Sequence, residues 1–141
     1  MSIKAILQGR DGAVHALAAN TPVSEAVAAL AEKRIGAMPV VDGGKVVGIF
    51  SERDVIHGLA GEREVFLSKA VSEVMITPVI TVTPDTAVMT ALSMMTRRRV
   101  RHLPVLEGET MVGFVSIGDL VKFRIDRIEA EAAAMRDYIA S

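Results

Sequence analysis

The chain has 141 residues, 50% of them hydrophobic and 23% charged, with a formal net charge of -1; this suits one compact domain or two small halves sharing a core and excludes a broadly basic nucleic-acid or anionic-membrane binder. Without cysteine there are no disulfides, thiolate metal sites or cysteine nucleophiles. The start, MSIKAILQGRDG, lacks the apolar stretch of a secretory signal and no apolar run approaches about 18 residues, so a soluble cytoplasmic protein is expected.

In chain order, an extended piece, Val14 to Leu17, comes first. A helix follows, with Thr21 as its N-cap, Pro22 at its first position and Val23, Ala26, Val27, Leu30 and Ala31 at helical spacing. A strand over Met38 to Val41 contains Pro39, which argues for an edge or a strand start. Asp42-Gly43-Gly44 makes a tight turn, Val46 to Phe50 returns, and a second helix begins at Ser51. Ala60 to Glu64 reads as a linker. The same series then recurs. Val79 to Val82 is extended, and Asp85 or Thr86 caps a helix carrying Val88, Ala91, Leu92 and Met95. Leu103 to Leu106 and Met111 to Val115 flank the turn Glu107-Gly108-Glu109, and a last helix starts near Ser116.

The recurrence is a repeat at an offset of about 65 residues, gapless from Val14 to His57. Thr21 falls on Thr86, Arg34 on Arg99, Pro39 on Pro104, Gly48 on Gly113, Ser51 on Ser116 and Asp54 on Asp119. Lys4-Ala5 on Lys69-Ala70 extends the match toward the start. A unit of about 60 residues sits near the lower limit for a self-sufficient core, so the copies are expected to pack face to face about a pseudo-two-fold axis. The expected fold is α+β with α/β-type repeats: β-α-β-β-α twice (1–62 and 66–126), then a helical extension (127–141).

The segments MPVVDGGKVVGIFSERDV and LPVLEGETMVGFVSIGDL resemble the CBS domain, named after cystathionine β-synthase, and the two in tandem resemble a Bateman module. The resemblance covers nearly the whole chain. It implies a ligand bound in the cleft between the copies: AMP, ADP, ATP, NAD or NADH, or S-adenosylmethionine. It also implies a regulatory role. With no effector domain in the sequence, the module is expected to act in trans on a separate effector protein, and to pair as a homodimer.

Candidate site residues follow. Ser51 and Asp54, like Ser116 and Asp119, form Ser-x-x-Asp at a helix start. This is a capping box, and equally a phosphate-binding helix end whose Asp can accept bonds from a ribose diol. The resemblance favours the second use. Arg97 and Arg98 read as a solvated helix end. Arg101 and His102 abut the Pro104 strand, where family members place basic residues against phosphates, so they are expected to serve a ligand resting on Asp54. By symmetry Arg53 would serve the Asp119 site. Gly36 and Ala37, followed by Met38, are small enough for adenine to approach the backbone, or for plain close packing. His15 and His57 read as surface histidines, and most methionines as core filler.

The final helix carries Val121, Ile125, Ile128, Ala132, Met135 and Ile139 at alternating spacings of four and three, a short heptad seam. No Gly-rich phosphate loop with Lys, no Ser/His/Asp arrangement and no metal-ligand cluster is present. The expected function is therefore binding, with no catalytic or metal residues. AMP is the first choice of ligand, because a single basic cluster suits few phosphates, and NAD or NADH the second. The alternative is a structural or partner-binding module with vestigial sites.

Overall fold

The computed structural model describes residues 1–10 and 14–140. Helix α1 (Ile3–Gln8) precedes the first repeat, which comprises β1 (Leu17–Ala18), α2 (Val23–Lys33), β2 (Ala37–Asp42), β3 (Lys45–Ser51) and α3 (Glu52–Ala60). Two short helices, α4 (Arg63–Ser68) and α5 (Val71–Val74), lie between the repeats, so most of the expected linker is helical. The second repeat comprises α6 (Val88–Arg98), β4 (His102–Glu107), β5 (Thr110–Ser116) and the long α7 (Ile117–Ala140).

The two hairpins superimpose in register. β2 pairs antiparallel with β3, Met38 facing Phe50, and β4 with β5, Leu103 facing Val115. A bulge falls at the same place in each, between Val40 and Val41 and between Val105 and Leu106. β1 adds to β2 in parallel, Leu17 facing Val40. In the second repeat this shrinks to one parallel bridge, Val82 to Val105, so Val79 to Thr81 form no strand. Gly43 and Gly44 both have positive φ, 57° and 79°, as a two-residue primed turn requires. Pro39 sits inside β2, between β1 and β3, and not at a sheet edge. It is tolerated because β1 begins to pair only at Val40; the equivalent Pro104 contributes just its carbonyl, which accepts the Val82 N–H at 3.1 Å.

Both long repeat helices start one residue later than their composition suggests. Pro22 is extended (ψ 142°) and is itself the N-cap of α2, with Ala87 in that place on α6. Thr86 instead uses its hydroxyl to accept the Thr83 N–H at 3.0 Å in the preceding loop. Both helices end on an arginine in the left-handed conformation, Arg34 and Arg99 (φ 55° and 54°), which turns the chain abruptly into the next strand. The apolar stripes are as spaced: Val23, Ala26 and Leu30 are buried on α2, and Val88, Ala91 and Met95 on α6. Of the methionines, Met38 and Met95 fill cores, whereas Met1, Met89 and Met135 are exposed.

The cores do not follow chain order. One gathers Leu17, Val23, Leu30, Met38, Val40 and Phe50 of the first repeat with Phe66 of α4 and Val71 of α5. The other gathers Val82, Val88, Met95, Leu103, Val105, Val115 and Leu120 of the second repeat with Ile3 of α1. Each repeat is thus capped by a short helix that the chain delivers from before the other repeat or from after itself. Ser2 bridges Ala87, and Ala70 bridges Pro22. These bridges make Ile3 the counterpart of Val71 and Leu7 that of Met75, three residues out of step with the Lys4-Ala5 match. Two equivalent glycines confirm the shift. A Cβ on Gly48 would strike Met75, and one on Gly113 would strike Leu7.

Candidate functional site

Among the described residues, clefts open between the repeats, and two of them reach the candidate residues. The larger, about 610 Å³, is lined by Leu7, Arg10, Val14, His15, Ile35, Gly36, Ala37, His102, Val112, Gly113, Phe114, Ser116 and Asp119. The smaller, about 330 Å³, is lined by Gly36, Ile49, Ser51, Glu52, Arg53, Ile56, His57, Ile76, Arg99, Val100, Arg101 and His102. Gly36 and His102 belong to both, so they form the ridge that separates them.

Each cleft ends on the start of a helix. In the smaller, the Ser51 N–H donates to Asp54 Oδ2 at 2.8 Å and the Ser51 hydroxyl donates to the same oxygen at 3.1 Å. In the larger, the Ser116 N–H donates to Asp119 Oδ2 at 2.8 Å, and Ser116 Oγ accepts the Asp119 N–H at 3.1 Å. The Ser-x-x-Asp pairs thus close as capping boxes, with the serine hydroxyl turned opposite ways. Asp119 faces its cleft directly. Asp54 stands behind Ser51, half-buried and off the cleft wall.

The surroundings of the two carboxylates differ. Arg10 forms an ion pair with Asp119 and donates to the Phe114 carbonyl at 2.7 Å. Burial pushes the Asp119 carboxyl up, but the Ser116 bonds and the Arg10 guanidinium outweigh it and hold the carboxyl below its ordinary range. Burial also pushes Asp54 up, and there it prevails over Ser51 and the nearby charges of His57 and Arg53. His102 stacks on Phe114, ring centroids 5.5 Å apart and 13° from parallel. Burial lowers the His102 pKa, against the pull of Asp119 and Glu52, so at neutral pH it presents an uncharged ring.

The smaller cleft concentrates cations: Arg53, Arg99 and Arg101 all reach it, opposed by Glu52 on its wall and by Asp54 behind Ser51. Ser51, Arg101 and His102 therefore do share one cleft on the Asp54 side. Arg53 joins them there and not at Asp119. Gly36 and Ala37 line the larger cleft, whereas Met38 is 2% exposed and faces the core. A Cβ at Gly36 would meet only the Glu52 carboxylate, at 3.4 Å, so the glycine keeps the cleft wall open and is not demanded by packing. Sequence reasoning passed over Arg10, Phe114 and Arg99; His15 and His57 are exposed, as expected of surface histidines, and each also lines a cleft wall. The signal for Arg99 was its identity with Arg34 across the repeat. Arg10 carries no local signal, because its partner is reached only after α1 docks on the second repeat.

Residues 12–61 and 71–126 each match the CBS domain family. A mitochondrial CBS domain-containing protein of Arabidopsis thaliana is 34% identical over 122 residues, 83% of this chain but only 59% of its own length. The CBS domain-containing protein YhcV of Bacillus subtilis is 30% identical over 115 residues, 81% of each chain. Among solved structures, a CBS-domain containing protein from Agrobacterium tumefaciens is 34% identical with a TM-score of 0.83, covering 88% of this chain and 99% of that one. A CBS domain pair solved in complex with methylthioadenosine and S-adenosyl-L-methionine is 26% identical with a TM-score of 0.79, covering 90% of this chain and 98% of that one. The repeat, the matched hairpins and these likenesses agree: the chain belongs to the CBS domain family, as a tandem pair.

Proposed function

We propose that this CBS pair is a regulatory module that binds an adenine nucleotide between its two repeats and acts on a separate effector protein. The observation that carries the reading is the smaller cleft, where the start of α3, Ser51 and three arginines converge. The start of α3 offers its positive dipole end to an anion, although the Glu52 N–H already donates to the Gly36 carbonyl at 2.9 Å. Arg53, Arg99 and Arg101 add fixed charge suited to bidentate contact with a phosphate. At Asp119, on the wall of the larger cleft, the hydrogen bond falls on Oδ2, which leaves Oδ1 to accept a ribose hydroxyl; Asp54, off the wall, holds the Ser51 hydroxyl in place. The CBS pair solved with two adenosine compounds supports the ligand class.

AMP is the favoured ligand, because one cluster of arginines on one side suits one phosphate group. NAD or NADH is the second choice. The clefts share Gly36 and His102, so a dinucleotide can span the ridge. A second reading, a partner-binding module with disused sites, is favoured by one observation: Arg10 already occupies the Asp119 carboxylate.

The test is a thermal-shift titration with AMP, ADP, ATP, NAD, NADH and S-adenosylmethionine on ligand-free protein. A ligand that binds only the native state adds about 2.7 kcal/mol at about 100 times its Kd. A saturable rise with one of them, lost in Arg101→Ala and in Asp54→Ala, is expected. No rise with any of them favours the partner-binding reading.

A further inference from the structure

In the larger cleft a cation of the chain itself already sits on the candidate ligand carboxylate. Arg10 lies on the cleft wall with Ser116 and Asp119. Its Nη1 donates to the Phe114 carbonyl at 2.7 Å. Its Nη2 pairs with Asp119 Oδ2, the same oxygen that accepts the Ser116 N–H. Among the described residues nothing donates to Oδ1. The carboxylate is therefore half engaged: Oδ2 is held from two sides and Oδ1 is open.

Neither the docking of α1 nor the repeat requires this arginine. Ile3 is fully buried, the Ile3 and Lys4 N–H groups donate to the Thr86 and Pro84 carbonyls, both at 2.9 Å, and Leu7 packs on the core of the second repeat. An ion pair whose side chains are 37% and 36% exposed adds at most about 1 kcal/mol to that anchor. Counted from the match of Leu7 with Met75, Arg10 falls on Pro78, which carries no charge. The rest of the cleft wall suits a base: Ile35 and Val112 are apolar, and the His102 and Phe114 rings stack. A ribose diol uses both carboxylate oxygens, one for each hydroxyl. To do so here, a ligand has to take Oδ2 from Arg10, and the lost ion pair is subtracted from its binding. We infer that Arg10 is a built-in competitor for the larger cleft, withholding half of the Asp119 carboxylate from the diol of a purine riboside until it is displaced. The inference rests on the nucleotide-binding reading above.

The test is calorimetric titration of the full chain with adenosine, which has no phosphate to engage the arginines of the smaller cleft. Arg10→Ala is expected to bind it about fivefold more tightly than the unaltered chain, equivalent to about 1 kcal/mol. Arg10→Gln, which keeps the side-chain length and loses the charge, should do the same. Both variants should keep nearly the same melting temperature, because α1 is anchored elsewhere. The gain should vanish when Asp119→Asn is added. It should also be absent for 2′-deoxyadenosine, whose single remaining ring hydroxyl needs only the open Oδ1. Salt gives an independent readout. Raising potassium chloride from about 0.01 M to about 1 M shortens the screening length from about 30 Å to about 3 Å. The uncharged ligand should then bind the unaltered chain more tightly, and Arg10→Ala equally at both concentrations. With AMP still bound by the same protein, two results overturn this inference alone: adenosine bound no more tightly by either Arg10 variant, or a gain that persists with Asp119→Asn or with 2′-deoxyadenosine. No binding of adenosine or AMP by any of these chains overturns the nucleotide reading along with it.

Discussion

Asp54 and Asp119 hold equivalent places in the two repeats, yet their carboxyls shift in opposite directions. For Asp119, held below the ordinary 3.8, the native chain binds fewer protons than the unfolded one. Its contribution to stability is present above that value and is lost as pH falls through the folded pKa. Asp54 is raised above 3.8, so the native chain holds more protons, and its contribution falls as pH rises from 3.8 through the folded value. At neutral pH, Asp119→Asn is expected to cost about 1 kcal/mol through the cap and the ion pair, and Asp54→Asn to be neutral or slightly stabilising. Urea unfolding of both variants across a pH series measures this; Asp54→Asn proving the costlier of the two contradicts it. Gly36→Ala separates wall from fold. With 3.4 Å to the nearest atom, it should leave the melting temperature unchanged while weakening nucleotide binding in a titration. The Ser-x-x-Asp pairs could be read in advance because they recur. That the two sites are unequal was legible too, because Arg53 stands where the second repeat has Gly118; the pairing of Arg10 with Asp119 was not, since Arg10 lies far away in sequence.

The elements were legible to the extent that the repeat was gapless. Both hairpins, both long helices and both capping boxes stand where the matched residues place them. What escaped were the short helices. α1, α4 and α5 are four to six residues long, too short for periodicity to register, and they fold against cores instead of by propensity. The strand-based offset also misplaced α1 on α5 by three residues. Two substitutions expose this docking. Gly113→Ala sets a methyl against Leu7 of α1, and Gly48→Ala sets one against Met75 just after α5. Each should destabilise by about 1–3 kcal/mol, the usual cost of overpacking, since the struck side chains are flexible enough to give partly. Ile3→Ala, at 0% exposure, should cost about 2–5 kcal/mol, although it lies far from the second repeat in sequence. Chemical denaturation reads all three, and a near-neutral Ile3→Ala would place α1 off the core.

Across the whole molecule the pseudo-symmetry is accurate in backbone and broken in chemistry. Both clefts have the same frame, but one gathers three arginines and the other pairs its carboxylate with Arg10. Calorimetric titration with AMP is therefore expected to show two unequal classes of site, with Arg101→Ala removing the tighter one and sparing the weaker. A single class of two equal sites would mean that the arginines do not touch the ligand. The crossed placement of the short helices has a further result. Residues 1–61 carry α1, which covers the second repeat, and 62–141 carry α4 and α5, which cover the first. A chain severed at Gly61 yields two pieces, each holding the lid of the other. Alone, each should stay largely unstructured; mixed, they should reassemble without a covalent tether, recovering one cooperative melting transition.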